Sequence, residues 1–176
     1  YPASGYHEET FTSGAALTNN DFGNWTTATK SGVKFHDLDA DGVKDAGETG
    51  LAGWTIYVDY DNDGVLDAGE PSAVTAADGT YTITGIVPGT WRVKEVAQSG
   101  WTQSYPASGY HEETFTSGAA LNNNNLGKWR YGTKSGYKFK EYHGHGVLDS
   151  GAVGLAGCDI SLWTGSPGSL VFVDST

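Results

Sequence analysis

Short stretches in which apolar and polar residues alternate recur along the chain, and this period of two is typical of β-strands with one buried face. In "WTIYV" at 54–58, Trp, Ile and Val alternate with Thr and Tyr, and in "GTYTITGI" at 79–86, Tyr81 and Ile83 alternate with Thr82 and Thr84. "TWRVKEV" at 90–96 alternates less cleanly. The dipeptides DG, PG and SG separate these stretches, and no window favours the 3.6-residue period of a helix. The pattern predicts an all-β sandwich of short strands.

A long internal repeat organises the chain. The segment "YPASGYHEETFTSGAAL" at 1–17 recurs letter for letter at 105–121, an offset of 104 residues. The same offset relates later stretches, such as GLAG at 50–53 and at 154–157. A repeat of this length predicts tandem β-sandwich units.

The repeat also predicts domain boundaries. We expect closing strands of a unit at 1–30, a complete unit at 31–133 and a partial second unit at 134–176. The stretch "TYTITGIVPGTWRVKEV" of the complete unit has no second copy. The last residues, "CDISLWTGSPGSLVFVDST", are expected to form a hairpin across SPG.

Two acidic loops follow predicted strands of the complete unit. "DLDADGVKDAGE" at 37–48 and "DYDNDGVLDAGE" at 59–70 both match the calcium-loop pattern D-x-D-x-D-G-x5-E. In such loops alternate carboxylates face a hard cation, the glycine permits a sharp turn, the next residue offers its carbonyl, and the glutamate binds through both oxygens. The predicted ligands are Asp37, Asp39, Asp41, Val43, Asp45, Glu48, Asp59, Asp61, Asp63, Val65, Asp67 and Glu70.

Two Ca²⁺ ions are therefore expected, both within residues 31–133. The alternative is a solvated acidic turn, because Asp and Gly are ordinary turn residues. Magnesium is less suited, since it prefers six ligands and keeps its waters. The strand-like "GLAGWTIYV" after the first loop excludes an ordinary EF-hand, which needs an amphipathic helix there.

Composition restricts the function further. The chain has 21 acidic and 10 basic residues, a formal net charge of −11, which argues against nucleic acid or an anionic membrane as partner. A single cysteine, Cys158, excludes an internal disulfide framework. No apolar run approaches the roughly 18 residues of a membrane span. With no nucleophile elbow, phosphate loop or cysteine–histidine constellation, we expect no enzyme.

The acidic loop is followed by the motifs "GLAGW", "DGTYTITGIVPGTW" and "VKEVAQSGW". In this combination residues 31–101 resemble the SdrD B-like repeats of bacterial surface proteins, which are related to the collagen-adhesin B-type fold. The resemblance implies an extracellular, prealbumin-like (Ig-like) β-sandwich at the cell surface. It also implies a module stiffened by calcium and used as a stalk, spacer or filament element.

The resemblance points to a second site. Related B-type domains carry a spontaneous Lys–Asn isopeptide bond assisted by a buried acid, and Lys34, Glu95 and one asparagine of 122–125, here taken as Asn123, stand in corresponding regions. Such a bond needs an uncharged lysine amine beside an acid that relays the proton. The alternative is that Lys34 is exposed and Glu95 caps a strand edge.

Other residues bear on surface ligands. Asn24 begins a formal glycosylation sequon, Asn-Trp-Thr. The tryptophans would stack on sugars in a ligand-binding adhesin module, but their places in alternating strands favour packing in the core or between modules. Any surface glycan or protein ligand stays unknown. The tryptophans concerned are Trp54, Trp91, Trp101, Trp129 and Trp163.

The second copy of the first acidic loop departs from the calcium pattern, so no calcium is expected in that half. Its histidines suit a softer divalent metal, and the alternative is a loop that has drifted after calcium binding was lost. The second acidic loop is replaced by "TGSPG". The altered residues are Glu141, His143, His145 and Ala152, and of the later carboxylates only Asp149 is kept.

The way in which the repeat units are cut at the two ends of the sequence suggests a mechanism of assembly. The chain opens with the end of one unit and closes with the start of another, so each end is expected to leave an unpaired edge or apolar face. One chain would complete the next by strand addition, and a contact that does not close on itself propagates as a filament. We therefore expect a calcium-stabilised, head-to-tail homo-oligomer in a fibre or stalk. The alternatives are a ligand-binding adhesin module and a passive spacer from a longer surface-protein array.

Overall fold

The computed structural model describes residues 3–144, 146–148, 150–164 and 171–175. The chain divides into two compact units, Tyr1–Tyr131 (the first unit) and Gly132–Thr176 (the second unit). Every regular element of the described residues is a β-strand, and none of them forms a helix long and apolar enough to cross a membrane. The strands are β1 Ala28–His36, β2 Thr55–Asp59, β3 Ser72–Val74, β4 Thr80–Ile86, β5 Gly89–Glu95, β6 Thr102–Tyr105, β7 His111–Phe115, β8 Ala120–Leu121, β9 Leu126–Trp129, β10 Ser161–Thr164 and β11 Val171–Ser175.

Strand β4 shows how the alternating sequence produces one buried face. Tyr81 and Ile83 are buried, whereas Thr82 and Thr84 are exposed. Burying one such large apolar side chain contributes about 1.5–3 kcal/mol, which fixes the face that the strand turns to the core. The predicted strands at 54–58, 79–86 and 90–96 are confirmed as β2, β4 and β5 within one or two residues.

The first sheet has the order β4–β1–β9–β6, and β8 also pairs with β1. Strand β1 runs antiparallel to β4 and parallel to both β8 and β9. In the parallel pair, Lys34 lies opposite Leu126. Residues far apart in the sequence therefore close the unit around β1.

The second sheet has the order β3–β2–β5–β7 and is antiparallel throughout. Side chains from both sheets form one apolar core, so the first unit is a β-sandwich. The buried members of this core are Ala28, Trp54, Ile56, Val58, Tyr81, Ile83, Ile86, Val93, Phe115 and Leu126.

Two glycines allow other backbone segments to approach β1 and its loop. A Cβ on Gly32 would lie 1.9 Å from the carbonyl oxygen of Asn124, and a Cβ on Gly50 would lie 1.9 Å from that of Asp78. Gly50 also forms an antiparallel bridge with Phe35. Any larger residue would push these segments apart.

The second unit contains the β10–β11 pair, which is antiparallel as the sequence predicts. The SPG turn itself lies outside the described residues. Phe139 bridges Gly154, and these residues are the repeat counterparts of Phe35 and Gly50.

Candidate calcium-binding loops

Each acidic loop begins where a buried strand ends. Asp37 directly follows β1, and Asp59 is the last residue of β2. Both aspartates are fully buried, although the loops that they open are largely exposed. The strands thus fix the position of the first carboxylate of each loop.

The two loops share one arrangement of backbone hydrogen bonds. In the first loop the Gly42 amide donates to Asp37 Oδ2 at 2.8 Å. The two oxygens of Glu48 accept from the amides of Leu38 and Asp45, at 2.7 and 2.9 Å. The final glutamate is therefore held across the loop entrance. The corresponding donor–acceptor pairs of the second loop are Gly64–Asp59, Tyr60–Glu70 and Asp67–Glu70.

Carboxylate oxygens converge in both loops, within 4.8 Å of one another. The Oδ1 atoms of Asp37 and Asp59 are buried and accept no hydrogen bond from the described residues. A buried carboxylate oxygen without a partner is costly unless a cation satisfies it. Because all the donors are hard oxygens, the residues fit Ca²⁺. The converging groups are Asp37, Asp39 and Glu48; Asp39, Asp41 and Asp45; Asp59, Asp61 and Glu70; and Asp61, Asp63 and Asp67.

Local electrostatics differ between the buried and exposed carboxylates of the first loop. Burial raises the pKa of Asp37, but the nearby Ser104 hydroxyl and the loop amides, led by that of Gly42, bring it below its ordinary value overall. Desolvation, together with the neighbouring carboxylates, raises the pKa of Asp39. Asp37 is therefore ionised at neutral pH, and a cation would relieve the repulsion felt by Asp39.

Each loop has a lysine beside it, but only that of the second loop contacts a carboxylate: Lys44 Nζ of the first loop donates to the Glu48 carbonyl oxygen at 3.1 Å. Lys94 Nζ lies 3.5 Å from Asp59 Oδ2, and a Cβ on Gly64 would lie 2.8 Å from the same nitrogen. The aspartate that opens the first loop has the neutral Ser104 beside it instead. Because a nearby positive charge reduces the attraction for a cation, the second loop is expected to bind calcium more weakly.

The altered loop of the second unit keeps part of this backbone arrangement. The Gly146 amide donates to Glu141 Oε1, as the Gly42 amide does to Asp37. His145 and Asp149 lie outside the described residues. The absence of calcium here, and a softer metal at His143 and His145, both stay predictions.

Three charged side chains meet inside the first unit. Lys34 and Lys128 contact the two oxygens of Glu95 at 2.5 and 2.6 Å, and all three side chains are buried. Both ammonium groups also lie over the ring of Trp54, at 4.6 and 5.7 Å from its centroid. Burial lowers the pKa of Lys34 to about 8, although Glu95 favours its charged form.

Of the residues predicted for an isopeptide bond, the structure brings Lys34 and Glu95 together. Asn123 lies at the surface with a φ of 64°, whereas Asn124 is 3% exposed and its Nδ2 has no hydrogen-bond partner among the described residues. The sequence reasoning missed Lys128. The alternation of side chains along a strand could have identified it, because Lys128 lies two residues after Leu126 and both side chains are buried.

The remaining predicted residues divide between surface and core. Asn24 is exposed, so its sequon is accessible. Trp54 is buried, Trp91 and Trp101 pack against the core, and the rings of Trp54 and Trp101 meet edge to face at 5.9 Å. The side chain of Trp163 lies outside the described residues. For the three core tryptophans, packing accounts for their positions without a sugar ligand.

Residues 3–27, which we name the closing segment, share several local contacts with their repeat counterparts at 107–131, although only the counterparts form strands. Each histidine ring of the repeat contacts a carbonyl oxygen 14 residues later. Each copy also has an asparagine with a φ near 65°. The matched features are His7–Asp21 and His111–Asn125, Ala15–Thr12 and Ala119–Thr116, and Asn19 and Asn123.

Burial differs sharply between these two copies. Phe11 is 75% exposed, whereas its counterpart Phe115 is 1% exposed in the core. Phe22 is 64% exposed, whereas its counterpart Leu126 is fully buried. The closing segment thus presents side chains whose counterparts fill a sandwich core.

Comparison with known proteins gives a family and similarity to solved structures. A family model described as the SdrD B-like domain matches residues 32–131, more than half of the chain. Among solved structures, the chain is similar to the crystal structure of GBS52, the minor pilin of the gram-positive pathogen Streptococcus agalactiae, at 18% identity and a TM-score of 0.43. The match covers 63% of this chain and 48% of that chain, so this chain spans about half its length. No curated protein matches the chain significantly.

Proposed function

We propose a function from one premise: the chain belongs to the SdrD B-like domain family. Members of this family are structural or adhesive modules of cell-surface proteins rather than enzymes. Within that class, we propose that this chain is an extracellular structural module, stabilised by two calcium ions, that assembles head to tail through strand complementation.

Two buried aspartates support the calcium part of the proposal. Asp37 and Asp59 each bring a buried oxygen without a hydrogen-bond partner into a cluster of carboxylates. Extracellular calcium loops bind with dissociation constants of about 10⁻⁴–10⁻³ M. At 10 to 100 times that concentration, each site would add about 1.4–2.7 kcal/mol of stability. Calcium would neutralise the loops and lock the ends of β1 and β2.

The exposure of Phe11 carries the assembly part of the proposal. In the first unit the identical residue, Phe115, is part of the core. The closing segment therefore has the side chains, and several of the local contacts, of a segment that belongs inside a sandwich. The hydrophobic effect favours any partner that removes these side chains from water.

The second unit offers the complementary surface. Ile160 and Leu162 are each 52% exposed, whereas their counterparts Ile56 and Val58 are fully buried. Residues 132–140 are the counterparts of β1, and within them Phe139 forms an isolated β-bridge. In the first unit β1 pairs with β8 and β9, whose counterparts belong to the closing segment. The proposed partner is therefore the closing segment of another copy.

Electron microscopy of the 176-residue chain tests this function, with bound calcium counted in parallel. We expect filaments that carry two ions per chain and that fall apart in chelator. Phe11→Ala should abolish them, whereas Val74→Ala, which removes another exposed apolar side chain, should not. Monomers with two ions would overturn the assembly and leave a spacer module. A chain that binds no calcium would overturn the metal sites.

The isopeptide bond stays a separate proposal. The Lys34 amine would attack the side-chain carbonyl carbon of an asparagine and expel ammonia, with Glu95 relaying the proton. Burial and the contact with Glu95 support the roles of these two residues. The mass of the intact protein, lower by one ammonia if the bond forms, tests it directly.

A further inference from the structure

An ion pair between a buried lysine and a partly exposed glutamate joins the two sheets of the first unit. Lys30 of β1 is 2% exposed, and its Nζ contacts Glu113 Oε1 of β7 at 2.9 Å. Glu113 lies between His111 and Phe115 on the inner side of β7, whereas Glu112 is exposed on the outer side. The pair thus lets a lysine occupy the interior of the sandwich.

The repeat separates the counterparts of this pair. Lys134 of the second unit corresponds to Lys30, and Glu9 of the closing segment corresponds to Glu113. Both Lys134 and Glu9 are exposed. The two elements that are proposed to meet therefore each display the counterpart of one member of the Lys30–Glu113 ion pair.

We propose that Glu9 of one copy pairs with Lys134 of the next, and that this ion pair fixes the register and the partner of the head-to-tail contact. The inference rests on the proposed assembly and specifies its chemistry. The surface at 132–140 is therefore occupied by the closing segment of a second copy of this chain.

The backbone is compatible with the same register. In the first unit the Asn124 carbonyl oxygen lies against Gly32, where a Cβ would be 1.9 Å away. The counterpart of Gly32 is Gly136, and a Cβ there would meet no atom within 4 Å. Asn20 of the closing segment is the counterpart of Asn124. The register that joins Glu9 to Lys134 also brings Asn20 to Gly136.

Charge gives this contact its selectivity. In any other register, or with a partner that lacks the carboxylate, Lys134 would be buried without an anion, which is strongly unfavourable. The apolar side chains favour association in general, whereas the ion pair selects among alignments.

Charge reversal in the full 176-residue chain tests the pair. Glu9→Lys alone and Lys134→Glu alone should each raise the protein concentration needed for filaments by at least about 100-fold, because like charges would meet in the contact. Mixing the two variants should restore filaments, since every contact between one variant and the other again joins a carboxylate to an ammonium group. Glu8→Lys is the matched control, because its counterpart Glu112 lies outside the core. Sedimentation velocity and electron microscopy measure the result.

The outcomes separate this inference from the proposed function. If wild type forms filaments that Phe11→Ala abolishes, but Glu9→Lys behaves as Glu8→Lys does, the assembly stands and the ion pair is wrong. If both single variants fail and their mixture also fails, the pairing is likewise wrong. If closing segments instead displace residues 107–131 of another copy, Lys134→Glu will have no effect, and the proposed partner surface is overturned. Wild type that stays monomeric overturns both proposals together.

Discussion

Replacing Glu95 by glutamine tests how the core holds its charges. Glu95 is buried between Lys34 and Lys128, so Glu95→Gln leaves two buried ammonium groups without their shared anion. Removing one partner of a buried ion pair costs about 3–5 kcal/mol. We expect the free energy of unfolding at pH 7 to fall by that amount.

Lys34→Met is the opposite perturbation of the same cluster. The fall of the Lys34 pKa from 10.5 to about 8 corresponds to about 3 kcal/mol of unfavourable free energy for keeping this lysine charged. Methionine removes that cost and leaves Glu95 paired with Lys128. The variant should be as stable as wild type or up to about 3 kcal/mol more stable.

Urea unfolding at saturating calcium, followed by tryptophan fluorescence, measures both variants. Glu112→Gln is the control, because Glu112 and Arg92 form an exposed pair worth less than about 1 kcal/mol. The reasoning is refuted if Glu95→Gln costs no more than this control, or if Lys34→Met costs more than Glu95→Gln. In the second case a wild-type mass lower by one ammonia would show that a covalent bond at Lys34 holds the core.

Three further predictions follow from single contacts. Because the Lys34 pKa is lower in the folded than in the unfolded chain, stability should rise by about 2 kcal/mol between pH 8 and pH 10, and urea titrations of Lys34→Met should lack that rise. Gly32→Ala should cost at least about 2 kcal/mol in the same assay, whereas Gly136→Ala, at the open counterpart position, should leave the stability of the monomer unchanged. Lys94→Gln should tighten calcium binding at the second loop alone, and calorimetry that finds equal affinities before and after the change would contradict the role given to this lysine.

The sequence predicts best where one local rule decides the structure. Alternation placed Tyr81 and Ile83 in the core because a strand has only two faces. The glycine and carboxylate spacing of the acidic loops agrees with a compact turn that gathers those side chains. In both cases the information lies within about a dozen residues of chain.

Features that depend on distant segments were not predictable in the same way. The positive φ at Asn123 changes which side chains of the following strand face the core. Asn124 and Lys128 face inward, whereas Asn123 does not. Nothing in the run of four asparagines indicates where that shift falls. Phe11 and Phe115 likewise stand in identical sequences, and only the presence of a surrounding sandwich decides which one is buried.

The parallel pairing of β1 with β9 has a mechanical consequence. Since both strands run in the same direction, the chain enters the sandwich at Ala28 and leaves it at Trp129 near the opposite end, about 30 Å away at 3.3 Å per residue. Tension applied along a row of such units pulls the two strands past each other. All of their mutual hydrogen bonds then carry the load at once, instead of opening one after another as they would in a hairpin pulled from its free ends. A fibre built from this unit would therefore resist stretching along the direction of these two strands.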